Sequence, residues 1–105
     1  MSQVREINEL NFDTEVLGAS TPVLLDFTAA WCGPCKAMTP ALEALAEETH
    51  GTLVVGKVDV DTSPDLASRF GVRGMPTLVV LRDGHEVKRR VGAANKAALL
   101  ALVRG

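Results

Sequence analysis

Blocks of apolar and polar residues follow one another along the chain, and the period of each block predicts one kind of element. Residues 4–7 have the interrupted pattern of a short edge strand. Asn11 is placed to cap a helix on which Phe12 and Val16 share one face. Residues 23–27 form an apolar run without polar alternation, which is typical of a strand covered on both faces. The chain therefore opens as strand, helix and central parallel strand.

A long amphipathic helix is predicted over residues 34–49. Met38 and Leu42 lie on its apolar face, and charged residues occupy the other face. Pro40 lacks a backbone donor, so we expect a kink there rather than a break, because the apolar stripe continues beyond it. Gly51 then ends the helix.

The second half of the chain predicts a strand, a helix, a hairpin and a last helix. In order, these are strand 53–60, a helix capped by Ser63, strands 77–81 and 86–91 joined by a turn at 83–84, and a helix capped by Asn95. Alternating strands and helices followed by a hairpin imply a mixed sheet with helices on both faces. We therefore expect a single α/β domain over residues 1–105, built in three layers.

Composition and charge narrow the classes of function. The 105 residues include 47% hydrophobic and 23% charged residues, which is the balance of a globular domain. Eleven basic and thirteen acidic side chains give a net charge of −2, and aromatic residues make up only 4%. Neither a phosphate-attracting field nor a surface for stacking bases is expected, so we predict no nucleic-acid partner.

Targeting signals are not evident in the chain. No stretch approaches the roughly 20 apolar residues that a membrane span needs. The first seven residues lack the apolar core of a secretory signal. We therefore expect a cytoplasmic protein without membrane contact, in a compartment that keeps thiols reduced.

Both cysteines lie in the segment Trp31-Cys32-Gly33-Pro34-Cys35, between the predicted buried strand and the long helix. Residues three apart on a first helical turn have Cα atoms about 5 Å apart, within the roughly 4.4–6.8 Å range of a disulfide. Gly33 allows the backbone to turn into the helix without a side chain in the way, and Pro34 suits a first turn. Free N–H groups and the helix dipole favour a thiolate at Cys32, the more exposed cysteine, which is the predicted nucleophile; Cys35 lies a turn deeper.

Two other interpretations of the cysteine pair stay open. A structural zinc site usually needs four ligands, but His50 and His85 are far apart in the chain and there is no second Cys-X-X-Cys. A purely structural disulfide has little use in a cytosolic domain with an adequate core. Redox chemistry is therefore favoured, with no metal and with both histidines on the surface.

Asp26 interrupts the apolar strand, where a carboxylate loses hydration that nothing nearby in the sequence restores. We expect its pKa to be raised and its carboxylate to accept a proton near Cys35. The alternative is that Asp26 ends the strand in a wet loop. Lys57 shares a strand face with Leu53 and Val55, from which its ammonium can reach an acid or simply extend to solvent.

Further along the chain, Gly74 permits close backbone approach just before Pro76, which begins a strand without removing a ladder bond. The cysteine motif thus follows Asp26-Phe27 and precedes Lys57, the segment 71–77 and Gly84. This order and spacing resembles the thioredoxin family over essentially the whole chain. The resemblance implies the thioredoxin fold, three layers α/β/α with a central mixed five-stranded sheet flanked by four helices. Thr28 departs from the pattern, since many bacterial members carry an aromatic residue there.

The resemblance also implies a role for individual residues. Cys32 and Cys35 are implied to be the redox-active pair, with Asp26 and Lys57 as catalytic neighbours. Pro76 is implied to be cis and packed beside the disulfide, while Gly33 and Pro34 tune the pair. The surface on which target proteins dock is implied to consist of Trp31, Gly74, Met75, Pro76, Gly92 and Ala93.

The implied function is a general protein-disulfide reductase and electron carrier that maintains cell redox homeostasis. The Cys32 thiolate attacks a target disulfide, and Cys35, helped by Asp26 as base, then releases the reduced target. A flavin-containing thioredoxin reductase drawing on NADPH re-reduces the pair. No cofactor is expected on the chain itself, because neither glycine-rich nucleotide motif occurs. We also expect a monomer.

Two rival functions stay open. A thiol oxidase or isomerase of the same fold usually carries a His or other polar residue between the cysteines, where this chain has Gly33-Pro34. A non-catalytic binding module would use residues 71–74 or the basic run Lys88-Arg89-Arg90. The basic run is better explained as protection of an edge strand against pairing with other chains.

Overall fold

The computed structural model describes residues 2–105, and the predicted elements are all present with ends shifted by a residue or two. The strands are Arg5–Ile7 (β1), Val23–Thr28 (β2), Val54–Asp59 (β3), Thr77–Arg82 (β4) and His85–Val91 (β5). The helices are Asp13–Leu17 (α1), Gly33–Glu48 (α2), Pro64–Arg69 (α3) and Lys96–Arg104 (α4).

The five strands form one mixed sheet in the order β1-β3-β2-β4-β5. β3 runs parallel to both β1 and β2, whereas β4 runs antiparallel to β2 and β5. β2 is therefore the central strand, parallel to one neighbour and antiparallel to the other. The short β1 and the exposed β5 are the two edges, which confirms the prediction that the basic run 88–90 lies on an edge strand.

Apolar side chains on the two faces of the sheet form two separate cores. One core joins the sheet to α2 and α4 through Leu24, Met38, Leu42, Val55, Leu78 and Leu99, among others. The other joins it to α1 and α3 through Phe12, Val16, Leu25, Phe27, Leu66 and Val79, among others. β2 contributes to both cores because its successive side chains point to opposite faces. The three-layer α/β/α arrangement is confirmed.

Helix α2 begins at the cysteine motif and passes through its proline without interruption. Pro34 lies in the first turn, where a backbone donor has no helical acceptor. Pro40 lies on the exposed side, and the helix continues to Glu48, which confirms that the proline does not break it; the kink stays a prediction. Gly51 has a φ of +89° and allows the chain to reverse toward β3.

Of the three predicted helix caps, Asn95 is confirmed, Ser63 holds the N-cap position without a side-chain hydrogen bond, and Asn11 is wrong. The Asn95 side chain accepts a hydrogen bond from the Ala98 N–H at 2.9 Å, as predicted for α4. Asn11 instead closes the turn after β1, since its Oδ1 accepts from the Asn8 N–H at 2.8 Å and its Nδ2 donates to the Glu6 carbonyl at 2.9 Å.

Ser63 is also not a side-chain cap for α3. Its backbone N–H donates to the Asp59 carbonyl at 2.8 Å, while its hydroxyl is buried and finds no hydrogen-bond partner within residues 2–105. A buried hydroxyl without a partner loses its hydration with no compensation, so we expect this side chain to oppose folding.

We predict that Ser63→Ala stabilises the protein by about 1 kcal/mol, because it removes an unpaired buried hydroxyl. Urea unfolding at constant pH measures the change. Ser68→Ala is the matched control, since Ser68 is an exposed residue of the same helix, and there we expect a change below about 0.5 kcal/mol. Destabilisation by Ser63→Ala would contradict the prediction.

Candidate functional site

The cysteine pair lies at the start of helix α2, just after the central strand β2. Cys32 and Cys35 form a disulfide with Cα atoms 5.3 Å apart, as the spacing predicts. Ala29 packs against both cysteines, and all three residues are buried. The pair is therefore held at the carboxyl end of a fully covered strand, where the sheet gives way to surface.

The two sulfur atoms differ in their relation to the helix more than in their exposure. Cys32 and Cys35 are 4% and 2% exposed, so exposure alone does not distinguish them in the disulfide form. Cys32 is the N-cap residue of α2, and its Sγ accepts a hydrogen bond from the Cys35 backbone N–H at 3.2 Å. Donors and the positive end of the helix dipole therefore face the Cys32 sulfur.

Gly33 is not required by the geometry of the loop. A Cβ built at this position meets no atom of residues 2–105 within 4 Å, and its φ lies outside the left-handed region. The predicted reason for a glycine here, room for the backbone to turn, is therefore wrong. The space beside Gly33 is open, so a side chain at this position would fit.

Asp26 is buried in the middle of β2, with 1% of its surface exposed. Neither carboxylate oxygen has a hydrogen-bond partner within the described residues. Burial raises the pKa of Asp26 from 3.8 to about 6, although the positive charge of Lys57 acts in the opposite direction. The structure confirms the raised pKa, and the interpretation of Asp26 as a residue in a wet loop is wrong.

Lys57 lies directly opposite Asp26 on the neighbouring strand β3. It shares a sheet face with Val55, as predicted, and is half-buried. A groove of about 460 Å³ runs past it and is lined also by Cys35, Lys36, Thr28 and Asp59. This groove gives solvent a way to Lys57 and to the Cys35 side of the pair. Thr28, the departure from the family pattern, is part of its wall.

A second set of predicted residues also meets beside the disulfide. Met75 packs against the cysteines, and the peptide bond from Met75 to Pro76 is cis. The Gly92 N–H donates to the Pro76 carbonyl at 2.8 Å, which joins the two loops. A Cβ at Gly74 would lie 2.9 Å from a Val91 methyl group, so the predicted close approach at this glycine is confirmed.

Ala93 and Trp31 lie at the surface near these loops. Ala93 follows Gly92 and is exposed, and Trp31 precedes Cys32 with 68% of its surface exposed. The fold therefore brings Gly74, Met75, Pro76 and Gly92 together by direct contacts, while chain connectivity places Trp31 and Ala93 at the borders of this cluster.

Sequence reasoning missed Asp61, which holds the exposed indole. The Trp31 Nε1–H donates to Asp61 Oδ2 at 2.9 Å, and the Asp61 backbone N–H donates to Asp59 Oδ1 at 2.8 Å. A signal was available, because acidic residues follow strand β3 and the carboxyl ends of parallel strands β2 and β3 meet at one sheet edge.

The remaining predictions concern the histidines, metal ligands and membrane spans. His50 and His85 are exposed, as predicted. Within residues 2–105 no three His, Cys, Asp or Glu side chains come together as a set of metal ligands. The same part of the chain contains no helix with the length and apolar character to cross a membrane.

Comparison with known proteins decides the family. A model of the family described as "Thioredoxin" matches residues 3–105. The chain belongs to the thioredoxin family. It is similar to "Thioredoxin" of Mycolicibacterium smegmatis, with 51% identity over 96 residues that cover 90% of this chain and 86% of that protein. It is also similar to "Thioredoxin" of Mycobacterium tuberculosis strain H37Rv, with 50% identity over 95 residues, 90% of this chain and 82% of that protein.

A third relative has two parts. "Bifunctional thioredoxin reductase/thioredoxin" of Mycobacterium leprae is 48% identical over 95 residues, which cover 90% of this chain and 21% of that protein. Membership of the thioredoxin family and the Cys-X-X-Cys disulfide make this chain a protein-disulfide reductase. Its redox equivalents are carried by the Cys32–Cys35 disulfide itself, as in the rest of the family.

We predict that Asp26→Asn stabilises the protein and that the gain depends on pH. The pKa of Asp26 is raised to about 6 in the fold. Below about pH 4 the carboxyl group is protonated in both the folded and the unfolded protein, so it does not lower folding stability there. Folding stability is then lost as the pH rises through 6. Asn stays neutral, so the difference in unfolding free energy grows between about pH 4 and 6 and levels off at roughly 2 to 4 kcal/mol.

Urea unfolding of both proteins from pH 4 to pH 8 tests this expectation. Asp65→Asn controls for the change in net charge, because Asp65 is exposed at the start of α3. A stability difference between Asp26→Asn and the native protein that is constant across this range would show that the Asp26 carboxyl does not titrate there.

Proposed function

We propose that Cys32 is the attacking thiolate of this reductase and Cys35 the resolving thiol. The observation that carries the proposal is the hydrogen bond of 3.2 Å from the Cys35 backbone N–H to the Cys32 sulfur at the start of α2. The donor and the helix dipole stabilise negative charge on that sulfur, so Cys32 is the cysteine that ionises first after reduction.

The reaction is two thiol–disulfide exchanges. First, the Cys32 thiolate attacks one sulfur of a client disulfide, forms a mixed disulfide, and expels the other client sulfur as a thiolate. Next, the Cys35 sulfur attacks the Cys32 sulfur, which closes the ring and releases the first client sulfur as a thiolate. The client gains two electrons, and the Cys32–Cys35 pair is oxidised by the same two.

Asp26 is proposed as the base that takes the proton from Cys35 in the second exchange. Its position supports the role, since it lies buried on the sheet face covered by α2, the helix that carries Cys35. A pKa of about 6 keeps Asp26 mostly ionised at neutral pH and makes it a stronger base than an ordinary carboxylate, since its pKa lies near the working pH. Lys57 keeps the carboxylate from becoming more basic, and the groove that Lys57 and Cys35 line gives water access next to Asp26's partner strand.

Clients are proposed to dock on the surface made of Trp31, Gly74, Met75, Pro76, Gly92 and Ala93. Support comes from the packing of Met75 against the disulfide and from the hydrogen bond between Gly92 and Pro76. The exposed indole of Trp31 offers an apolar face next to Cys32. Gly33 and Pro34 are proposed to tune the pair, because both lie exposed in the first turn of α2, between the two cysteines.

The oxidised pair is proposed to be reduced by a flavin-containing thioredoxin reductase that draws on NADPH. The fusion of both activities in one Mycobacterium leprae protein supports this partnership. We also propose that the chain acts as one domain and as a monomer, on protein clients with reducible disulfides, and without nucleic-acid or membrane partners. A reductase of protein disulfides has its use where thiols are kept reduced, which supports the cytoplasm as its location.

We predict that Cys35→Ser traps clients and that Cys32→Ser does not. Without the resolving thiol, the mixed disulfide on Cys32 has no intramolecular attacker and accumulates. Non-reducing electrophoresis and mass spectrometry of the protein mixed with a disulfide-containing client measure the adduct. Equal trapping by both variants would show that the two cysteines do not have the assigned roles.

We also predict that Asp26→Asn slows release of the client by roughly a hundredfold or more at pH 7, because the proton acceptor is lost. Stopped-flow measurement of the second exchange, started by a jump to pH 7 from a mixed disulfide formed on Cys32 at acid pH, where Cys35 stays protonated, isolates this step. Asp65→Asn again controls for net charge. An unchanged rate of release from pH 6 to 8 would rule out Asp26 as the base.

A further inference from the structure

Two adjacent arginines on the edge strand β5 each reach a different loop of the proposed docking surface. The Arg89 Nη2 group donates to the Phe70 carbonyl at 2.5 Å, and the Arg90 Nη2 group donates to the Ala93 carbonyl at 3.1 Å. They reach different loops because consecutive strand residues point to opposite faces of a sheet. The pairing of β5 with β4 agrees with these opposite directions. Arg89 lies opposite Val79, which belongs to one core, and Arg90 lies opposite Leu78, which belongs to the other.

An ion pair with Glu86 orients the Arg89 side chain. Both Glu86 oxygens accept from its guanidinium, each at 2.8 Å, in the two-pronged geometry that Arg alone provides. This pair raises the pKa of Arg89 and lowers the pKa of Glu86. The Nη2 group that donates to Glu86 also donates to the Phe70 carbonyl, so the ion pair sets the direction of that contact.

The Phe70 end of this contact is rigid. The Phe70 ring packs against Phe12 and Phe27, with centroids 5.9 and 5.4 Å apart, so Arg89 ties β5 to a residue already held in the core. Phe70 directly precedes the segment 71–76, which starts at Gly71 in a left-handed conformation and carries Gly74, Met75 and Pro76. Arg89 thus anchors the entry to one side of the docking surface.

Arg90 performs the same task on the other side. Its contact to the Ala93 carbonyl closes the turn at Gly92, whose φ of +108° reverses the chain after β5. The Gly92 N–H in turn holds the Pro76 carbonyl. Lys88, the remaining cation of the run, makes no side-chain hydrogen bond or ion pair within residues 2–105. The three basic residues are therefore not equivalent.

We propose that Arg89 and Arg90 are positioning residues for client docking, which hold the loops 71–76 and 92–93 in the arrangement that clients meet. The inference rests on the docking surface proposed above. It goes beyond the protection of an edge strand, which requires only positive charge and would be served equally by Lys88. A lysine at either arginine position keeps the charge and loses the planar donors.

The test compares Arg89→Lys and Arg90→Lys with Lys88→Gln as the matched control. Steady-state reduction is measured with two substrates, a folded protein that has a single accessible disulfide and a small aromatic disulfide. We expect each arginine variant to raise KM for the protein about 3- to 10-fold, the range of one lost hydrogen bond, with kcat within twofold. The small disulfide needs no docking surface, so its kcat/KM should not change, and Lys88→Gln should match the native protein on both substrates.

Three results would overturn the inference. An equal loss on both substrates would show a general structural defect, and an effect of Lys88→Gln as large as that of the arginine variants would show simple charge attraction. An unchanged KM for the protein substrate in both arginine variants would show that the contacts do not position the loops. If Arg89→Lys fails to fold, Glu86→Gln leaves Arg89 in place, removes its anchor, and should still raise KM for the protein.

A further variant separates this inference from the proposed function. Ala93→Asp changes the docking surface itself and should raise KM for the protein substrate whatever the arginines do. If Ala93→Asp raises KM while the arginine variants do not, only the positioning role is wrong. If Ala93→Asp also leaves KM unchanged, the docking surface is wrong and the positioning role is overturned with it.

Discussion

Complete burial of the central strand β2 is the constraint on which the rest of this structure depends. Two apolar cores, one on each face, remove water from every side chain of the strand up to Phe27. The same packing excludes water from Asp26. Burial therefore raises the pKa of its carboxyl group, while the nearby charge of Lys57 acts in the opposite direction. Immediately beyond the covered part, the chain comes to the surface and presents the cysteine pair. A strand with one solvated face would leave Asp26 as an ordinary acid.

The chemistry of the pair follows from where helix α2 begins. Because Cys32 caps the helix and Cys35 lies within it, two identical side chains meet different electrostatic surroundings. Stabilisation of one thiolate makes that sulfur both the better nucleophile at neutral pH and the better leaving group on return. The asymmetry is a property of backbone geometry, and the open space beside Gly33 shows that it needs no steric contribution from the intervening glycine.

Residues of two kinds surround the disulfide. Lys57, Asp59 and the groove lie beside Cys35, whereas Met75 packs against the cysteines and Pro76 is joined to Gly92 by a hydrogen bond. In the proposed mechanism, the first group serves proton transfer and the second serves docking of the client. On the same proposal, the edge strand β5 contributes to docking through the main-chain contacts of two arginines.

The sequence by itself determined the elements, their order, the helix that survives Pro40 and the position of the cysteine pair, because these depend on residues close together in the chain. It also pointed to Asp26, since an acid inside an apolar run is unusual wherever the run lies. Tertiary structure alone decided the contact of Asp61 with Trp31, the hydroxyl of Ser63 buried without a partner, the turn closed by Asn11, and the two loops reached by Arg89 and Arg90. The contacts of Asp61 and Arg89 and the burial of Ser63 depend on which elements become neighbours. Those of Asn11 and Arg90 are local in sequence but depend on how each turn is folded, and hydrophobic periodicity carries no information about side-chain partners.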